Sequence, residues 1–285
     1  MEYVALFVWL LVCLVLGGVI NAILQSAHQY KLVALLAAPG MVARKFAMTA
    51  VGLLSGATVT QVNIYDLSER DIGFEAKGIP GISKMLVPLA PLFVCAVVLQ
   101  GINVALGSPL SLSFRPPPFS SLDATGLRGF MFGLWDLMSG LFRQIVDADW
   151  GSGRLYLLLA FIFSLSLGAC VPFAKFREGF LGIAFLAGGL AALCALLGVR
   201  SGAAGAAVAA SSPAARWGLA ARSFVMGTAG MAFIMMLCGL MAGVVGGVLV
   251  RLFELAGKGS RGAGASGSKK ASKSSETADK KRMAA

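Results

Sequence analysis

The chain has 285 residues, of which 58 % are hydrophobic and 13 % charged, and its mean hydropathy is +0.82. That composition excludes a soluble globular domain, and the lone histidine, His28, excludes a zinc site built from two or three imidazoles of one copy. Gly257 to Ala285 carries eight Lys and Arg against Glu276 and Asp279, more than half of the net charge of +11.

Apolar runs of about 20 residues, the length that crosses a bilayer, recur along the chain. The first, Val4 to Leu24, is preceded only by Met1, Glu2 and Tyr3. With no basic residue ahead of it, it reads as a retained helix and not as a cleaved signal. His28 follows in a polar break, Gln25-Ser26-Ala27-His28-Gln29. Further spans are predicted at Leu32–Ser55, Lys84–Leu106, Leu155–Ala174, Phe180–Val199 and Phe224–Leu252, six in all. An even number puts both termini on one side, and the positive-inside bias makes that side the cytoplasm. The predicted fold class is therefore an all-α integral membrane protein with a polytopic domain over 1–256 and a disordered basic tail over 257–285. The expected location is a bacterial inner membrane.

Within the second run, Arg44 and Lys45 sit in an otherwise apolar helix that begins at Pro39-Gly40. A charge in the bilayer centre costs about 2.5 to 3.5 kcal/mol, so such residues face a partner or a wet cavity, or snorkel to the headgroups. Val59 to Leu67 then alternates as a strand does, and Ser68-Glu69-Arg70-Asp71 makes a charged turn before Ile72-Gly73-Phe74-Glu75. This predicts a small β-hairpin at the membrane edge, with a groove beside the Arg44 helix.

After the third span, Pro116-Pro117-Pro118 opens a long connection whose second part, 122–146, places Phe130, Leu134, Leu137, Leu141 and Ile145 three and four residues apart. With Arg128, Asp136 and Arg143 beside them, this predicts an amphipathic helix in the interface, anchored by Trp135 and Trp150. A short helix packed over the bundle is the alternative. Ala203 to Ala215 reads as an Ala/Gly/Ser loop. In the last span Gly239, Gly243 and Gly247 recur every fourth residue, so one face permits close helix packing, within the bundle, with a second copy or with another subunit.

Cys13, Cys95, Cys170, Cys194 and Cys238 all lie in apolar spans without metal or redox spacing. Neither a P-loop nor a dinucleotide fingerprint occurs. No metal or cofactor is expected. The basic tail suits anionic lipid, and its lack of Phe, Tyr and Trp argues against specific nucleic-acid binding.

One stretch resembles a known family. Ala38-Pro39-Gly40, the helix after it, Gly56-Ala57-Thr58-Val59, Gly73-Phe74 and Ala90-Pro91-Leu92-Phe93 together are similar to membrane metallopeptidases of the site-2-protease type. In that family the helix carries His-Glu-x-x-His, and the resemblance lays those positions on Arg44, Lys45, Phe46, Ala47 and Met48. A later carboxylate ligand would fall on Phe176. Arg44 and Lys45 repel Zn²⁺, and the Met48 thioether suits copper(I) better than zinc. The resemblance thus implies a pseudopeptidase, not an enzyme, that binds another integral membrane protein at Val59, Gln61, Asn63, Tyr65, Gly73 and Phe74. Addition of an extended segment to a strand edge survives loss of the metal. The rival expectation is a small anion channel or transporter using Arg44 and Lys45.

Overall fold

The apolar runs fold as helices, and proline and glycine set where they stop. The computed structural model describes residues 2–25, 31–56, 58–62, 72–75, 80–110, 124–171, 173–197 and 213–244. Its helices are α1 (Glu2–Gln25), α2 (Lys31–Leu54), α3 (Pro80–Leu86), α4 (Ala90–Ala105), α5 (Ala124–Val146), α6 (Gly153–Ala169), α7 (Phe176–Leu196) and α8 (Pro213–Val244). Two strands, β1 (Thr58–Val62) and β2 (Ile72–Glu75), lie between α2 and α3, and a 3-10 turn, Phe173–Lys175, joins α6 to α7. Contacts divide the chain into Met1–Ala242 and Gly243–Ala285; of the second unit only Gly243 and Val244 are described.

Three segments are long and apolar enough to cross a membrane: Tyr3–Ile23, Phe176–Leu196 and Pro213–Val244, with α4 and α6 shorter but also apolar. The chain is in class a helical integral membrane protein.

Several helix boundaries differ from the sequence expectation. The Arg44 helix does not begin at Pro39-Gly40 but runs through Pro39, which lies inside α2. The run Lys84–Leu106 is two helices, because the turn Val87-Pro88-Leu89 interrupts it and Pro91 restarts it in the first turn of α4. At the other end of α4, Gly107 takes a left-handed φ of +86°. The Ser108 N–H then donates to the Asn103 carbonyl (2.7 Å) and the Gly107 N–H to that of Val104 (3.0 Å), closing the helix. The run Leu155–Ala174 stops at Ala169, with Cys170 extended (φ −61°, ψ 130°) just before Val171-Pro172. The last helix starts at Pro213, ahead of the predicted Phe224, since proline favours the first helical position and alanines follow it.

The strands pair antiparallel, Val59 opposite Phe74 and Gln61 opposite Gly73, with an irregularity between Val59 and Gln61. Both strands pack against α2. Asn63, Tyr65, the charged turn, His28, Gly247 and the tail 257–285 lie outside the described residues.

Trp9 joins three helices. Its indole N–H donates to the Ala229 carbonyl of α8 (2.9 Å), and its ring meets Phe233 of α8 (centroids 4.4 Å) and, edge-on, Phe130 of α5 (6.2 Å). Trp9 is fully buried, which leaves the Ala229 bond as the way its polar edge is satisfied.

α5 meets the rest of the bundle near both of its ends. α1 and α6 are antiparallel: Gly17 lies against Cys170 and Val171, and further along α1 Ile20 meets Ser166 around Gly239. A six-residue link ties the start of α6 to the end of α5, where Trp150 meets Tyr156 (5.9 Å).

Candidate functional site

The site to which the sequence points, around Arg44 and Lys45, is built on a close crossing of α2 and α6. A Cβ placed on Gly40 would collide with the Ser164 carbonyl, and one on Gly168 with the Gly40 carbonyl, so the two main chains touch where only glycine fits. Pro39 supplies no N–H to α2, and the next donor, the Gly40 N–H, is satisfied across the interface by Ser164 Oγ (2.9 Å). The proline is accommodated because a hydroxyl of a neighbouring helix takes over a main-chain partner.

One turn further along α2, the Arg44 side chain reaches the end of α6. Its Nη1 donates to the Cys170 carbonyl (2.9 Å). The last carbonyls of a helix lack internal partners and carry the negative end of its dipole, so a guanidinium there both satisfies and neutralises them. Cys170 in turn donates its Sγ–H to the Ser166 carbonyl (3.0 Å). Arg44 is thus fixed by main chain, not snorkelled along its own helix. Lys45, the next residue of α2, is 6 % exposed and has an interaction of its own.

Met48, four residues after Arg44 and so on its side of α2, is also buried. Phe176, the position aligned with the later ligand, opens α7 and lies half-buried beside Phe173 (centroids 6.4 Å). α7 packs mainly on α1 and α3, whereas α2 packs on α6 and α4. The four positions thus rest on helices with different chief neighbours. Among the described residues no group of three or more His, Cys, Asp and Glu side chains gathers as a metal site would require.

The glycine repeat of α8 resolves in favour of packing inside the bundle at its first member. A Cβ on Gly239 would strike the Ser166 side chain. Gly243 begins the second unit. The tightest helix contact of the described chain was missed by sequence reasoning; its signal was Gly40 directly after Pro39, facing the small residues Ser164 and Gly168 of an apolar run.

The chain matches no protein-family model, no curated protein and no solved structure.

Proposed function

We propose that this chain is a non-catalytic membrane pseudopeptidase of the site-2-protease type, which holds or regulates another integral membrane protein. The observation that carries the reading is the β1–β2 pair packed on α2, the helix that holds Arg44. Among the described residues this sheet has two strands, so each has an outer edge to which an extended segment can add by main-chain hydrogen bonds. The zinc-binding helix of a peptidase is replaced by one whose Arg44 is tied to the Cys170 carbonyl, a positioning role that weighs against an anion path lined by the same guanidinium.

On this reading the chain crosses a bacterial inner membrane six times, with its tail in the cytoplasm against anionic lipid. The test is photocrosslinking from Gln61 and Phe74 in native membranes, combined with metal analysis of the purified protein. A discrete membrane-protein adduct with no stoichiometric metal is expected. Near-stoichiometric zinc, or crosslinks to lipid alone, would overturn the reading. Anion flux in reconstituted vesicles that disappears when Arg44 and Lys45 are neutralised would replace it with the channel.

A further inference from the structure

Cys95 and Cys170 lie far apart in the chain, and the packing of three helices brings them to one place. Along α4, Leu92, Cys95, Leu99 and Asn103 are buried and recur three and four residues apart, so they share one face. The chief neighbours of α4 are α2 and α6, which makes that face the one turned to them. α4 and α6 run antiparallel, because Gly107, just past the end of α4, lies beside the Arg154 guanidinium at the start of α6. Twelve residues back from Gly107 is Cys95, and twelve forward from Arg154 is Ser166, so at a common rise per residue Cys95 stands level with Ser166. The Ser166 carbonyl is the acceptor of the Cys170 Sγ–H, at 3.0 Å. Both sulfurs therefore sit at one height of the α4–α6 contact.

The electrostatics agree with this placement. Cys95 acts on Cys170, and the Arg44 guanidinium, held at the Cys170 carbonyl, acts on both thiols. Among the described residues no charged group acts in this way on Cys13 or Cys238. The thiolate and not the thiol is the nucleophile, and a neighbouring cation favours it. A disulfide needs its two Cα atoms within about 7 Å. Cys170 is extended (φ −61°, ψ 130°) just past the end of α6, so it can adjust without breaking a helix hydrogen bond of its own N–H further along.

We propose that Cys95 and Cys170 are a site of reversible oxidation, which hydrogen peroxide closes into a disulfide tying α4 to α6. Thiols buried to this degree admit only a small, uncharged oxidant, and peroxide is one. One thiolate attacks the peroxide: an S–O bond forms, the O–O bond breaks, and the departing hydroxide takes up a proton and leaves as water. The other thiol then displaces the sulfenic oxygen: the S–S bond forms, the S–O bond breaks and a second water leaves. The thiols lose the two electrons that reduce the O–O bond, and Cys170 gives up its bond to the Ser166 carbonyl. The site lies apart from the β1–β2 edge, so it stands or falls without the strand-edge reading.

The test exposes the full chain in native membranes to hydrogen peroxide, denatures it, alkylates it with N-ethylmaleimide and counts alkylated thiols by intact mass. Five are expected before oxidation, three after it and five again after dithiothreitol, with a non-reduced digest joining Cys95 to Cys170. Cys95→Ser or Cys170→Ser holds the count at four, whereas Cys13→Ser falls from four to two. Closure slows about fivefold or more in Arg44→Met, and Arg44→Lys, which keeps a positive charge, recovers part of the rate. A wild-type count that stays at five, or a disulfide between other cysteines or between two chains, would overturn the proposal. So would closure of Arg44→Met at the wild-type rate.

Discussion

Two sets of charged residues in this chain are placed in opposite ways. Arg44 turns inward and donates to the Cys170 carbonyl at the end of α6. Arg128, Asp136 and Arg143 stand on the outward side of α5. The first set is answered by the protein's own main chain, because a broken helix leaves carbonyls that need a donor. The second is set beside exposed aromatic and aliphatic side chains. The difference teaches that a charge in an apolar helix carries information about partners only once its surroundings are known: the inward one supports the fold, and the outward ones define a surface.

The comparison breaks first at the α2–α6 crossing. Gly40→Leu forces a side chain into the Ser164 main chain, and overpacking of this kind costs about 1–3 kcal/mol or more. A large fall in the detergent melting temperature is expected, and an unchanged one would mean the helices do not touch. Arg44→Met removes the donor to Cys170 and should cost about 1.5–3 kcal/mol, the range for hydrogen bonds to charged groups. Arg44→Lys should recover only part of it, since a compact ammonium lacks the reach of the fork.

Ser164→Ala orphans the Gly40 N–H, for an expected loss of about 1 kcal/mol, near the upper part of the range for interhelical bonds in membranes. The smallest effect belongs to the outward set: Asp136→Asn should change the melting temperature by less than the equivalent of about 0.5 kcal/mol. Equal losses from Arg44→Met and Asp136→Asn would erase the distinction between an inward structural charge and an outward one.

Trp9 gives a check on where α5 and α8 meet α1, since its ring touches both Phe130 and Phe233. Trp9→Phe keeps most of the aromatic contact and removes only the indole bond to the Ala229 carbonyl, which lies inside α8. It should therefore cost about 0.5–1.5 kcal/mol, less than the 3–5 kcal/mol typical of truncating a buried Trp to alanine.

Much of this molecule is legible in its residues. The apolar runs determine a helical membrane protein, and the three-and-four spacing over 122–146 determines a helix that the structure draws at Ala124–Val146. Alternation after Val59 and the partner run at Ile72 likewise point to the two strands, whose register breaks a strict period of two between Val59 and Gln61.

Tertiary structure decided the rest, because the deciding interactions join residues far apart in the chain. Pro39 signals a helix start by local rules, yet α2 continues through it because Ser164, 124 residues away from Gly40, accepts the Gly40 N–H. The sequence marks Arg44 as unusual but cannot say which carbonyl it meets, since Cys170 is 126 residues away. Periodicity finds the face of α5 that seeks the core, but that Phe130 on this face meets Trp9 of α1 is decided by the packing of distant segments. Local chemistry sets which segments are helices and which of their faces are apolar; the contacts between those helices alone decide which charge is buried as support and which is left as a surface.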